Sequence, residues 1–146
     1  MKMETAYDKE IKLYIEKWGF SKFVNINEQT EDVVIQIEEN FIMGFSGIDW
    51  EQNEIIYSQK LDSDPEKYLN EAKIFLDKIC ISFPNLLDER VIVVGDNLTS
   101  LSYDMKFEYF LYLFDQFLSI PQHFYCWFPV SKKCINFSFE NEVYFG

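Results

Sequence analysis

The stretch of residues 122–146, QHFYCWFPVSKKCINFSFENEVYFG, constrains the fold more than any other part of this chain. A strand places every second residue on the same face, and the first run here separates into two sets. The sets are Phe124, Cys126 and Phe128 on one face, and His123, Tyr125 and Trp127 on the other. The PVSKK segment then predicts a loop, Ile135, Phe137 and Phe139 repeat the alternation, and EVYF follows a further turn. The stretch therefore predicts an antiparallel meander of aromatic and β-branched strands.

Helical spacing of apolar residues predicts helices earlier in the chain. Residues 5–18 carry a stripe at i, i+3, i+4 and i+7 that ends before Gly19. Residues 30–41 are ambiguous, because Val33, Val34, Ile37 and Phe41 form a helical stripe whereas Val33, Ile35 and Ile37 also alternate like a strand. We interpret this segment as a helix.

The middle of the chain predicts two more helices around one buried strand. Asp64 and Pro65 are typical of a helix start, and the apolar face that follows would place Cys80 in the core. The RVIVVGDN segment predicts a strand that ends in a turn. Residues 102–118 predict a fourth helix. The predicted fold is a single α+β domain over residues 1–146, with about four helices packed on a mainly antiparallel sheet that ends in the meander.

The charge distribution makes some classes of partner less favourable than others. Thirteen basic and 25 acidic residues give a formal net charge of −12. This charge disfavours nucleic acid and anionic lipid as direct partners and favours a basic protein. Residues 23–59 contain no lysine or arginine, whereas eight carboxylates fall within them: Glu28, Glu31, Asp32, Glu38, Glu39, Asp49, Glu51 and Glu54. The alternative interpretation is a solvated acidic face that serves solubility.

The candidate metal ligands are few and poorly spaced. His123 is the only histidine, and the pattern His-x2-Cys-x7-Cys formed with Cys126 and Cys134 matches no paired-ligand motif. His123 and Cys126 are an odd number of positions apart, so a regular strand points them to opposite faces. We therefore expect no metal and no cofactor, with the two cysteines as small apolar core residues. Three cysteines also predict no disulfide framework.

Catalytic motifs are equally scarce. No serine or cysteine stands in a nucleophile motif, and VVGDN lacks the glycines and lysine of a phosphate-binding loop. We expect that the chain is not an enzyme, although its many carboxylates leave a small acid-based hydrolase as an alternative. The polar start MKMETAYDKEIK predicts no signal peptide, and no run is apolar enough to span a bilayer, so a cytoplasmic location is expected.

The second half of the chain resembles a known class of protein. RVIVVGDN, an aromatic helix, IPQHFYCWFP and CINFSFENEVYFG together resemble small acidic, aromatic-rich bacterial immunity proteins of contact-dependent growth inhibition and other polymorphic toxin systems. The resemblance covers residues 90–146 and is one of organisation rather than of a diagnostic motif. It implies a cytoplasmic antitoxin that binds the C-terminal domain of a delivered toxin, with a nuclease as the expected toxin. An acidic nucleic-acid mimic that blocks a DNA- or RNA-binding protein is the alternative.

A basic toxin domain would need both carboxylates and apolar anchors in the surface that binds it. Trp50 and Tyr57 are the candidate anchors, since Trp50 lies between two acidic residues in a segment without clear periodicity. The alternative for Trp50 is that it packs beneath its own loop. The predicted toxin-binding residues are Glu38, Glu39, Asp49, Trp50, Glu51, Glu54 and Tyr57.

Overall fold

A computed structural model describes residues 4–146, which form four α-helices and a seven-stranded sheet. The helices are α1 (Ala6–Lys17), α2 (Thr30–Asn40), α3 (Pro65–Ser82) and α4 (Phe107–Leu118). The strands are β1 (Asn25–Asn27), β2 (Met43–Gly44), β3 (Gly47–Ile48), β4 (Tyr57–Lys60), β5 (Arg90–Gly95), β6 (Ser102–Lys106), β7 (Phe124–Phe128), β8 (Lys133–Phe137) and β9 (Glu142–Phe145). Short 3-10 helices cover Trp50–Gln52 and Pro84–Asp88.

The large sheet has the strand order β1-β6-β5-β7-β8-β9-β4, and every neighbouring pair is antiparallel. Strands β7, β8 and β9 are adjacent in both sequence and space, which confirms the C-terminal meander. Strands β2 and β3 form a separate two-stranded hairpin. The chain is thus a single α+β domain of four helices packed with a mainly antiparallel sheet, as its sequence predicts.

Helices α1 and α3 begin at capping residues. Thr5 and Asp8 form a capping box at the start of α1. Asp64 accepts a hydrogen bond from the backbone of Lys67, and Pro65 occupies the first turn of α3. The ambiguous segment is helical, as predicted, because α2 turns Val33 and Ile37 towards the sheet.

The two faces of the sheet are covered by different parts of the chain. One face packs against α1, α3 and α4, and this main core contains Phe75, Phe107 and Phe124. The other face packs against α2 and the residues that follow it, in a smaller core that contains Ile37, Trp50, Tyr125 and Trp127. The alternation predicted for β7 is confirmed, because Phe124, Cys126 and Phe128 lie in the main core whereas Tyr125 and Trp127 lie in the smaller one.

Three details of the sequence prediction were wrong. Residues 102–106 form β6 and not the start of the fourth helix, which begins at Phe107. Phe139 does not continue the inward set of β8, since the strand ends at Phe137 and the Phe139 side chain is exposed. Cys80 is only partly buried at the border of the main core.

Cys126 and Cys134 are fully buried, as the sequence predicts. They lie in different cores on opposite faces of the sheet, and both are free thiols. Burial raises the pKa of both thiols, so they stay protonated at neutral pH. Among residues 4–146, no helix is both long and apolar enough to cross a membrane.

Candidate functional site

The segment without lysine or arginine forms one layer on the second face of the sheet. This layer consists of α2, the β2–β3 hairpin and the 3-10 turn at Trp50, and we call residues 28–54 the acidic layer. It carries eight carboxylates and no basic residue, and therefore accounts for −8 of the net charge of −12. Asp49 is partly buried, and the other seven carboxylates belong to exposed residues.

The layer on the other face has a different balance of charge. Helices α1 and α3 each contain three basic and three acidic residues, so each is formally neutral. Helix α4 contains only Glu108 and Asp115 as charged residues. The excess negative charge is therefore concentrated on one side of the sheet, where it produces a field that a cationic partner would experience from a distance.

Buried side chains fix the acidic layer to the sheet at two points. The indole Nε1 of Trp50 donates to Oδ1 of Asn136 at 3.0 Å, and the Trp50 ring stacks on Tyr144 with centroids 5.3 Å apart. The indole Nε1 of Trp127 donates to Oε1 of Gln36 on α2 at 2.8 Å. Both contacts join a residue of the layer to a central strand, so the layer is held in position before any partner arrives.

The hairpin within this layer is closed by polar contacts at its base. Asn53 accepts from the backbone N–H of Ile42 at 2.9 Å, and its Nδ2 donates to the Ile42 carbonyl at 2.9 Å. Asp49 caps the 3-10 turn by accepting from the backbone N–H of Glu51. Gly47 has φ of +128°, and a Cβ at this position would lie 2.1 Å from the hydroxyl oxygen of Tyr125. Only glycine therefore lets the hairpin approach the sheet this closely.

Two cavities lie on either side of the hairpin. A cavity of about 350 Å³ is lined by four carboxylates together with His123 and Tyr144. The carboxylates belong to Asp49, Glu51, Glu140 and Glu142. A second cavity of about 520 Å³ is more apolar, with Val34, Ile37, Met43 and Val94 on its walls and Asp96 at its edge. The surface of the acidic layer therefore has cavities as well as negative charge.

The structure brings most of the predicted toxin-binding residues into this layer. Glu38 and Glu39 are exposed in the last turn of α2, and Asp49 and Glu51 line the acidic cavity. Glu54 is exposed just after the 3-10 turn. Six of the seven predicted residues, Trp50 included, therefore lie on one side of the sheet.

The two predicted aromatic anchors are placed differently from the carboxylates. Trp50 is buried, with 6% of its surface exposed, so the alternative in which it packs beneath its loop describes its position. Tyr57 lies on edge strand β4 and stacks with Phe145 in the main core, and its hydroxyl is 2.7 Å from Oγ of Ser82. Lys78 Nζ lies 4.1 Å from the Tyr57 ring centre. Tyr57 thus faces the side of the sheet opposite to the acidic layer.

Phe45 is an exposed aromatic residue of the acidic layer that the sequence analysis missed. The pairing of Met43 with Ile48 and of Gly44 with Gly47 leaves Phe45 and Ser46 as a two-residue hairpin loop. The Phe45 side chain is fully exposed. Two glycines that flank two residues in GFSG indicate such a turn, and this signal could have identified Phe45 from the sequence.

His123 lies beside the acidic cavity and not beside the cysteines. Its Nδ1 accepts from the backbone N–H of Phe139 at 3.4 Å, and its Nε2 is 4.0 Å from a carboxylate oxygen of Glu140. Cys126 lies in the main core on the other side of the strand, as predicted. In the described part of the chain, no three histidine, cysteine or acidic residues are grouped in a way that could hold a metal ion.

Comparison with known proteins finds no match to this chain among family models, curated proteins or solved structures.

Proposed function

We propose that this chain is a cytoplasmic immunity protein that binds and neutralises the toxic C-terminal domain, a nuclease, of a contact-dependent growth inhibition toxin. The observation that carries the proposal is the location of −8 of the −12 net charge in one layer on one face of the sheet. The resemblance of residues 90–146 to immunity proteins supports the same function.

A nuclease must bind phosphates through a basic surface, and a set of fixed carboxylates can compete for that surface. Long-range attraction between opposite charges can raise association rates to about 10⁸–10⁹ M⁻¹s⁻¹ at low salt. Fast association matters to an antitoxin, because each toxin molecule that enters the cell cleaves substrate until it is bound. The same charge repels nucleic acid and anionic lipid from this side of the chain.

Preorganisation adds to the case for a binding role. The contacts of Trp50 with Asn136 and of Gln36 with Trp127 hold the layer against the sheet. A surface that is already ordered loses less conformational entropy when a partner binds, so more of the interaction energy contributes to affinity.

The proposal is tested by growth rescue. A tagged copy of the chain is expressed in its own host, and a small basic protein that copurifies with it is identified. Expression of that protein alone should stop growth and degrade RNA or DNA, and coexpression with the chain should restore growth and prevent the degradation. A copurifying protein that is harmless when expressed alone would contradict the proposal, as would a toxic one that the chain does not neutralise.

The same assay separates an antitoxin from a nucleic-acid mimic. A mimic would bind a DNA- or RNA-binding protein whose expression leaves nucleic acid intact, and it would act by displacing that protein from its site. An antitoxin would bind a protein that itself cleaves nucleic acid, and purified chain should stop the cleavage at equimolar concentration.

A further inference from the structure

Phe45 lies at the tip of the β2–β3 hairpin, where its aromatic ring extends into solvent. The ring is fully exposed, so it contributes little to the packing of this chain. The backbone of the hairpin that carries it is held in place, because Asn53 closes the base of the hairpin and Gly47 lies directly against Tyr125. An exposed aromatic ring on an ordered loop is typical of a residue that binds into a partner's pocket.

Two other exposed aromatic rings, those of Trp18 and Tyr112, pack against neighbouring rings. Trp18 packs against Tyr14 with ring centres 6.0 Å apart, and Tyr112 stacks on Phe20 at 5.8 Å. Those residues lie on or beside α1 and α4, on the opposite face of the sheet from the acidic layer. Phe45 combines greater exposure with a place among the carboxylates.

Exposed apolar side chains and carboxylates occur together in the acidic layer. Four apolar side chains of this layer besides Phe45 are 36–51% exposed: Val34, Ile35, Ile42 and Met43. Phe45 itself lines the acidic cavity together with Glu51, Glu140 and Glu142. Apolar patches rimmed by polar groups are typical of protein-binding sites.

The charge of the acidic layer determines which kind of partner can bind over Phe45. A second copy of the chain would bring another acidic layer of eight carboxylates against the first, and the two would repel. An anionic membrane surface is excluded by the same repulsion. A protein whose apolar pocket is rimmed by lysine or arginine side chains is complementary to both the ring and the rim.

We propose that Phe45 is the hydrophobic anchor of the toxin interface, inserted into an apolar pocket of the basic partner while the surrounding carboxylates contact the pocket's cationic rim. This inference rests on the proposed function and names the residue that holds the complex together. The carboxylates attract the partner from a distance, so they mainly determine the association rate. The ring must leave its pocket before the complex separates, so its burial mainly determines the dissociation rate.

The test measures the dissociation rate of the complex between the full chain and the basic protein identified by growth rescue. Phe45→Ala should raise the dissociation rate about 10- to 100-fold, as expected from the loss of one buried phenyl ring. The association rate should change little, since the carboxylates remain. Phe45→Leu should give an intermediate dissociation rate, because it keeps part of the apolar side chain.

The matched control is Ile81→Ala, which removes an 82% exposed apolar side chain from the neutral helix α3 and should leave the dissociation rate unchanged. Thermal unfolding of each variant shows that the fold is intact, and an exposed ring predicts an unchanged midpoint for Phe45→Ala. If the wild-type chain restores growth but Phe45→Ala does not change the dissociation rate, then Phe45 is not the anchor, whereas the proposed function still holds. Absence of rescue by the wild-type chain would overturn both.

Discussion

The indole of Trp50 donates a hydrogen bond to Asn136, which lies 86 positions further along the chain in the centre of the meander. Asn136 in turn donates to the backbone carbonyl of Phe124 at 3.0 Å. The acidic layer is therefore tied to the sheet through a buried polar contact as well as through apolar packing. A buried polar group that loses its partner is costly, so this contact also specifies how the layer sits.

Replacing Trp50 should loosen the acidic layer. Trp50→Phe leaves the Asn136 oxygen without its buried donor and removes part of the ring that stacks on Tyr144. We expect a loss of about 1–3 kcal/mol in the free energy of unfolding, measured by urea denaturation. Hydrogen exchange should show the loss of protection concentrated in residues 41–53. Trp18→Phe, at the exposed residue that follows α1, is the control and should change stability by less than about 0.5 kcal/mol. Equal effects of the two substitutions would contradict the role given to Trp50.

Gly47 tests how closely the hairpin must approach the sheet. Gly47→Ala introduces a Cβ that meets the Tyr125 hydroxyl, in addition to the strain of a positive φ. Gly19→Ala is the comparison, because Gly19 has a less strained positive φ of +77° and no atom within 4 Å of the added Cβ. We expect thermal or urea unfolding to show at least about 2 kcal/mol more destabilisation for Gly47→Ala than for Gly19→Ala. Equal destabilisation would mean that the contact with Tyr125 yields without cost.

Asp8 should make stability depend on acid pH. Its buried carboxylate accepts hydrogen bonds from Ser100 N–H at 2.9 Å and from the Tyr103 hydroxyl at 2.7 Å, which joins α1 to the sheet. Burial acts to raise the pKa of Asp8, but these bonds and those from Thr5 hold the pKa below its usual value. The stabilisation is therefore complete above the unfolded pKa of about 3.9 and is lost as pH falls through the folded pKa.

The measurement for Asp8 is the free energy of unfolding from pH 7 to pH 2. Asp8→Asn should cost about 2–4 kcal/mol at pH 7, because the amide cannot accept all the bonds that the carboxylate accepts. The difference from the wild-type chain should shrink below pH 4. Asp77→Asn, at an exposed position on α3, should show neither effect. A difference for Asp8→Asn that stays constant to pH 2 would show that the carboxylate charge is not what stabilises this site.

The sequence predicted the fold class because most elements carry their own local signal. Asp64 and Pro65 mark the start of α3, and the alternation over residues 124–128 assigns their side chains to the two faces of a strand. The start of α4 was wrong for a physical reason. Tyr103, Phe107 and Phe110 have helical spacing, yet Tyr103 pairs with Val93 in β6, and that long-range pairing determines the conformation.

The candidate site was only partly predictable. Absence of lysine and arginine is a property of the sequence, but the side of the sheet on which those residues lie depends on tertiary packing. Trp50 and Tyr57 are only seven positions apart, yet the sheet separates them, because Trp50 packs in the smaller core and Tyr57 against the main one. Trp50 is buried because it bonds to Asn136 and stacks on Tyr144, and these long-range contacts are not specified by the local sequence.

The acidic layer is tested most directly by exchanging four of its carboxylates for amides and measuring association with the basic protein identified by growth rescue at several salt concentrations. The test variant carries Glu38→Gln, Glu39→Gln, Glu51→Gln and Glu54→Gln. The control variant carries Glu10→Gln, Glu16→Gln, Glu66→Gln and Asp77→Asn on α1 and α3. All eight positions are exposed, and both variants change the net charge by the same amount. We predict that the test variant associates about tenfold or more slowly at low salt, with a flatter salt dependence, and that the control variant behaves much like the wild-type chain. Equal association rates for the two variants would contradict the claim that the acidic layer is the surface that receives the toxin.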